Sequence, residues 1–132
     1  MRKYLHSLVL VSVVLSGASL AYAVGFPPLI ADIPHAFLIA GKELPAGQYE
    51  FREDPSNSEV VLVRNMSTGK EIIALSETRL AAREGDQYSV VFDVAGNKYY
   101  LSEIHLADMD GFHFKAATGK HTHVTAKAKK KA

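Results

Sequence analysis

Residues 88–106 read YSVVFDVAGNKYYLSEIHL and contain the clearest folding signal in the chain. Every second residue from Tyr88 to Val94 is apolar, so these side chains share one face of an extended strand. Gly96-Asn97 is a compact hairpin signal, and a second alternating run follows from Lys98 to Leu106. The stretch therefore predicts an antiparallel β-hairpin.

The same pattern extends outward from this hairpin in both directions. From Ala31 to Lys115 no segment has sustained helical periodicity, whereas short apolar or alternating runs recur between Gly, Pro, Asn and Asp. We expect an all-β domain, either a single antiparallel β-sandwich or a small β-barrel of about seven short strands. The predicted strands cover 32–40, 48–53, 60–65, 71–81, 88–94, 98–106 and 112–116.

Two of these strands contain an irregularity. Pro34 cannot donate a ladder hydrogen bond, so it places the first strand at an edge or at a start. The apolar alternation is lost over Glu77–Leu80, which predicts a bulge or a bend in the fourth strand.

Residues 1–23 have the three parts of a secretory signal peptide. Arg2 and Lys3 precede the mostly apolar run 5–20, and Ala21-Tyr22-Ala23 has the small-x-small form of a cleavage site. The alternative is an uncleaved membrane anchor, but serines and a glycine interrupt the run, which falls short of the roughly 20 apolar residues of a membrane span. We expect cleavage near Ala23 and a secreted or periplasmic mature protein without a transmembrane span.

Charge divides the remaining chain into a body and a tail. Residues 24–119 hold eight basic and 14 acidic residues, a formal net charge of −6, whereas residues 120–132 hold five lysines and no acid. We expect an all-β domain over 24–119 and a basic, disordered tail over 120–132. The tail can contact an anionic envelope polymer or lipid, or it can solubilise the protein or fold against the acidic body. The contacting residues would be Lys127, Lys129, Lys130 and Lys131.

The 132-residue chain contains no cysteine and no tryptophan. The absence of cysteine excludes a disulfide scaffold, a thiolate zinc site and a cysteine nucleophile. The β-core must therefore be stable without a covalent cross-link.

Histidines provide the strongest chemical signal. His121 and His123 lie two residues apart, so in an extended chain both imidazoles point to the same side and can chelate copper, nickel or zinc. His113 on the preceding strand can approach them if the chain folds back. The alternative is a pair of exposed histidines in a polar tail, and we expect weak metal binding at most, with no tightly held cofactor.

A second group of candidates lies on the strand 98–106. Glu103 and His105 share one face and can form an acid–base pair, although the same face can simply become solvent-exposed beyond Leu101. Tyr99 and Tyr100 point to opposite faces, so at most one of them is in the core and the other is a candidate binding contact.

The segments 33–37 (IPHAF), 40–42 (AGK) and 44–49 (LPAGQY) resemble the opening of a group of small exported bacterial proteins of acidobacterial type. In that group an IPxxF…GKxLPAGxY segment precedes an all-β domain and a later strand similar to Tyr99–Glu103. The resemblance implies export and an all-β fold, and it carries no functional residues to this chain.

These patterns favour an exported binding or structural module over an enzyme, since no nucleophile elbow, phosphate loop or dinucleotide fingerprint is present. No catalytic residue is assigned. The alternatives are a periplasmic metal-binding protein that uses the C-terminal histidines and, third, a hydrolase.

Overall fold

A computed structural model describes residues 25–132 of the chain. The predicted signal peptide therefore lies outside the described residues. The described chain forms strands and turns, with no helix and hence no helix able to cross a membrane. The strands are β1 (Leu29–Ile33), β2 (Phe37–Ile39), β3 (Lys42–Leu44), β4 (Gly47–Asp54), β5 (Asn57–Asn65), β6 (Glu71–Leu75), β7 (Thr78–Leu80), β8 (Ser89–Ala95), β9 (Lys98–Leu106), β10 (Met109–His113) and β11 (Thr122–Lys130).

All eleven strands belong to one sheet that curls into a half-barrel. The strand order is β3-β2-β9-β8-β11-β1-β4-β5-β6, and β10 pairs with β9 and carries β7 on its other side. The all-β prediction is confirmed, but the count of about seven strands is too low. Part of the difference comes from breaks within predicted strands.

Two predicted strands are each divided in two by the irregularity noted in the sequence. Pro34 ends β1, and the chain re-enters the sheet as β2, which lies on the far side of β9 and β8 from β1. Residues Ser76 and Glu77 separate β6 from β7, and these strands pair with different partners, β5 and β10. A bend at each position lets the chain pass from one part of the curled sheet to another.

The C-terminal segment contradicts the prediction of a disordered tail at 120–132. Thr122–Lys130 is a nine-residue strand with antiparallel partners on both sides, β8 and β1. Only Ala126 and Ala128 are half-buried and pack against the core, and the other side chains of the strand are exposed. The strand is held mainly by backbone hydrogen bonds, which low hydrophobicity does not prevent.

The concave side of the sheet is filled by aromatic and branched aliphatic side chains. Tyr49 and Phe51 of β4 are 1% and 0% exposed. Val90 and Phe92 of β8 are both 0% exposed, which confirms that the apolar face predicted for this strand lies in the core. Phe37 packs edge to face against both Tyr49 and Phe92 and so connects the two halves of the sheet. Since the chain contains no cysteine, this core has no disulfide.

A bulge in β9 determines which side chains face out next to β8. Phe92 pairs with Leu101, whereas Val91 pairs with Glu103, so Ser102 is an extra residue on β9. The carbonyl oxygen of Ser102 accepts a hydrogen bond of 2.8 Å from the N–H of Phe114, which compensates for the lost ladder bond. As a result Leu101 and Ile104 both face the core, and Glu103 faces out.

Tyr49 ties the LPAG turn to the sheet. Its hydroxyl donates to the carbonyl oxygen of Pro45 at 2.6 Å and accepts a hydrogen bond from Nδ2 of Asn65 at 3.2 Å. Burial raises the pKa of this hydroxyl above its ordinary value of 10.0, and the hydrogen bond from Asn65 lowers it in part. The native state therefore favours the protonated phenol.

The raised pKa of Tyr49 predicts loss of stability at alkaline pH. Above about pH 10 the unfolded chain releases the Tyr49 proton while the native state retains it, so the free energy of unfolding falls as pH rises. Tyr49→Phe should remove this contribution to the decrease of the unfolding free energy with pH. At pH 7 it should lower the free energy of unfolding by about 1–3 kcal/mol, because two hydrogen bonds are lost. Urea unfolding between pH 7 and 11 measures both effects. Tyr100→Phe is the control, and an unchanged slope in Tyr49→Phe would contradict the assignment.

Candidate metal site

A surface groove of about 370 Å³ runs along the outer face of the sheet where β8, β9 and β11 lie side by side. Four of the candidate residues from the sequence line this groove, namely Glu103, His113, His121 and His123. Its lining includes three acids and three histidines, namely Glu77, Asp93, Glu103, His113, His121 and His123.

Strand register brings the two ends of this cluster together. His123 of β11 pairs directly with Asp93 of β8, so their side chains stand next to each other on the outer face. His121 lies two residues earlier and follows Gly119, whose φ of +83° is a left-handed conformation that glycine adopts without strain. The turn at Gly119 thus places both imidazoles beside one carboxylate.

The distances in this cluster are short. Nδ1 of His123 is 2.9 Å from Oδ1 of Asp93, and Nε2 of His121 is 3.7 Å from Oδ2. One donor atom from each of the three residues lies within 4.8 Å of the other two. Asp93 is only 4% exposed, whereas both histidines are accessible from solvent. The arrangement is a buried carboxylate beneath two accessible imidazoles.

Hydrogen bonding leaves lone pairs directed into the cluster. Nδ1 of His121 contacts the carbonyl oxygen of Gly119 at 2.8 Å, and since a carbonyl only accepts, Nδ1 carries the hydrogen. In the neutral ring, Nε2 then presents a lone pair toward Asp93. Oδ1 of Asp93 is buried and has no hydrogen-bond partner among residues 25–132, although Nδ1 of His123 lies 2.9 Å away. An imidazole whose other nitrogen is fixed by a carbonyl is typical of a metal ligand.

The sequence identified two of these three residues. His121 and His123 come together as expected, and His113 lines the same groove, but its Nδ1 lies 3.9 Å from Oε2 of Glu77 and it is not one of the three clustered residues. Asp93 was missed because a carboxylate on the polar face of a strand looks like a solvated group. Asp93 can be recognised as a ligand only from the pairing of β8 with β11, and a disordered tail over 120–132 does not predict that pairing.

The remaining candidates lie on β9 and do not belong to this three-residue cluster. Nε2 of His105 is 2.9 Å from Oε2 of Glu103, so the predicted pair forms on a half-exposed surface. Glu103 also pairs in register with His113 of β10. Tyr99 packs against the core with its ring stacked on His35 at 3.7 Å between centroids, while Tyr100 stands opposite Asp93 in register.

The four C-terminal lysines have different surroundings. Lys127 borders a second groove that also contains Arg83 and His105, and Lys130 lies 5.9 Å from the ring centre of Tyr88. Nζ of Lys131 contacts Oε2 of Glu50 at 2.5 Å. Lys131 is therefore neutralised within the fold, and contact with an anionic surface stays a prediction for Lys127, Lys129 and Lys130.

Comparison of the chain with protein-family models, with curated proteins and with solved structures found no match. The function must therefore be argued from the groove itself.

The contact between Lys131 and Glu50 predicts a measurable contribution of the last residues to stability. Glu50 is 4% exposed, and its other cation, Arg52, is 3.7 Å away. Lys131→Gln should lower the free energy of unfolding by about 1–2 kcal/mol, a modest value because the lysine itself is half exposed. Lys129→Gln is the matched control and should change it by less than about 0.5 kcal/mol. Equal effects of the two variants in urea unfolding would contradict a specific role of Lys131.

Proposed function

We propose that this chain is an exported β-domain that binds a divalent transition-metal ion through Asp93, His121 and His123. One observation carries the proposal: a buried carboxylate oxygen without a hydrogen bond lies 2.9 Å from an imidazole nitrogen, with a second imidazole nitrogen in the same cluster. Buried polar atoms in native proteins nearly always have a hydrogen-bond or metal partner, so we expect Oδ1 of Asp93 to bind one.

A metal ion fits this cluster better than a simple ion pair does. In a tetrahedral zinc site the ligand atoms lie about 2.0–2.2 Å from the metal and hence about 3.3 Å from one another. The contacts of 2.9 Å to Oδ1 and 3.7 Å to Oδ2 of Asp93 lie on either side of that spacing, and one donor atom from each residue lies within 4.8 Å of the other two. An ion pair alone would favour an N–H···O hydrogen bond from His123 to Asp93, but among residues 25–132 Oδ1 of Asp93 has no hydrogen-bond partner.

The ligand set indicates the kind of metal. Two imidazoles with one carboxylate suit zinc, copper(II) or nickel, whereas calcium and magnesium prefer oxygen ligands throughout. Three protein ligands leave at least one coordination position for water or an external ligand. The groove is open at this point, and both histidines are exposed. These features suit a site that exchanges its metal with solution.

Export is the other part of the proposal. It is supported by the leader pattern of residues 1–23, with its basic start, apolar run and Ala21-Tyr22-Ala23 end, and by the resemblance of residues 33–49 to small exported bacterial proteins. A thiol-free site of histidine and aspartate suits an oxidising compartment, since it has no cysteine that could be oxidised.

Calorimetric titration of the mature chain with Zn²⁺ or Cu²⁺ tests the metal site. We expect saturable binding with one ion per chain. Asp93→Asn and His123→Gln should each weaken binding about tenfold or more, because each removes a ligand of a three-ligand site.

His105→Gln is the matched control, since His105 lies on the same face of the sheet but pairs with Glu103 outside the cluster. It should leave the affinity within about twofold. If neither Zn²⁺ nor Cu²⁺ binds, the proposed function is refuted. If Asp93→Asn binds the metal with unchanged affinity, this ligand set is refuted.

A further inference from the structure

Strand β11 is an interior strand of the sheet with almost no buried side chains. It pairs with β8 on one side and with β1 on the other, so it joins the β2-β9-β8 part of the sheet to the β1-β4-β5 part. Apart from the half-buried Ala126 and Ala128, its side chains are exposed. Burial of apolar area therefore stabilises this central strand less than its neighbours, and its position depends strongly on the contacts at its two ends.

The C-terminal end of β11 is anchored by a buried carboxylate with a permanent cation. Glu50 is 4% exposed and accepts a hydrogen bond from Nζ of Lys131, while Nε of Arg52 lies 3.7 Å from its other oxygen. The backbone N–H of Lys131 also donates to the carbonyl oxygen of Pro28 at 2.8 Å. This end combines charge neutralisation with backbone pairing.

The N-terminal end of β11 lies beside a second, equally buried carboxylate, that of Asp93, which has no lysine or arginine within ion-pair distance among the described residues. Asp93 is also 4% exposed, but within residues 25–132 its ion-pair contacts are only the imidazoles of His121 and His123. Neither ring is a permanent cation such as lysine or arginine. A buried carboxylate without a counter-ion opposes the packing that buries it.

We propose that the metal ion is the counter-charge for Asp93 and that its binding locks the first half of β11 onto β8. This inference rests on the proposed function and assigns the site a regulatory role. Asp93 belongs to β8, His123 belongs to the start of β11, and His121 immediately precedes that strand, so the three ligands meet only when β11 is docked. A ligand that binds only the docked form shifts the equilibrium toward it, here toward a closed sheet in which β1 and β8 have no free edges.

The size of the effect follows from mass action. At a free metal concentration 100 times the dissociation constant, the population with β11 detached should fall about 100-fold. Amide hydrogens that exchange through that opening should slow by the same factor, while amides protected by other parts of the sheet should not respond.

Hydrogen exchange of the full mature chain, with Zn²⁺ and after treatment with a chelator, tests this inference. The amides of residues 122–126 and of their partners in β8 should exchange about 100-fold more slowly with Zn²⁺. Those of the β4–β5 hairpin should change by less than about twofold. Wild-type protein suffices for this comparison, so it does not depend on the folding of a variant.

Two variants separate the electrostatic cause from a general effect of zinc. At the same free Zn²⁺ concentration, Asp93→Asn should reduce the response by about tenfold or more. Its β11 amides should exchange no faster than those of chelator-treated wild type, because the buried negative charge is gone. Glu50→Gln, at the other end of β11, should keep the response to Zn²⁺.

The outcomes distinguish this inference from the proposed function. If zinc binds in calorimetry while β11 exchange is unchanged, the lock is refuted and the metal site stands. If neither Zn²⁺ nor Cu²⁺ binds, the proposed function and this inference both fail. Faster β11 exchange in Asp93→Asn than in chelator-treated wild type would also overturn the inference, because it would show that the carboxylate anchors β11 without a metal.

Discussion

The antiparallel pairing of β11 with both β8 and β1 is the interaction on which the rest of the structure depends. It joins the hydrogen-bonded parts of the half-barrel and covers two strand edges that would otherwise be free to pair with other chains. The same register sets His123 opposite Asp93. The closure of the sheet and the geometry of the proposed metal site are therefore consequences of one strand position.

Two buried carboxylates on the outer face show how charge is distributed around that strand. Glu50 and Asp93 are equally buried, and they flank the end and the beginning of β11. Lys131 and Arg52 compensate Glu50, whereas within residues 25–132 the ion-pair contacts of Asp93 are with the imidazoles of His121 and His123. Since a neutral imidazole has a lone pair and a lysine has none to offer at neutral pH, only the Asp93 end is suited to hold a metal cation.

Local pattern predicted the parts of the fold that are stabilised by apolar burial. The bounds of β9, the core-facing side of β8 and the irregularity over Glu77–Leu80 follow from the alternation of apolar residues. The break at Pro34 was not predicted, because the first strand was expected to continue through it over 32–40. Strand β11 was missed because its lysines and exposed side chains carry no burial signal, while its backbone completes the ladder between two distant strands. Asp93 was missed with it, because a carboxylate separated from His123 by 30 positions becomes a ligand only through that pairing.

The most direct test of the central claim is a crystal structure of the mature chain grown with Zn²⁺, with anomalous data collected on both sides of the zinc absorption edge. The account predicts one anomalous peak in the groove, about 2.0–2.2 Å from Nε2 of His121, Nδ1 of His123 and a carboxylate oxygen of Asp93. Zinc bound elsewhere, or a groove without an anomalous peak in zinc-saturated crystals, would contradict it.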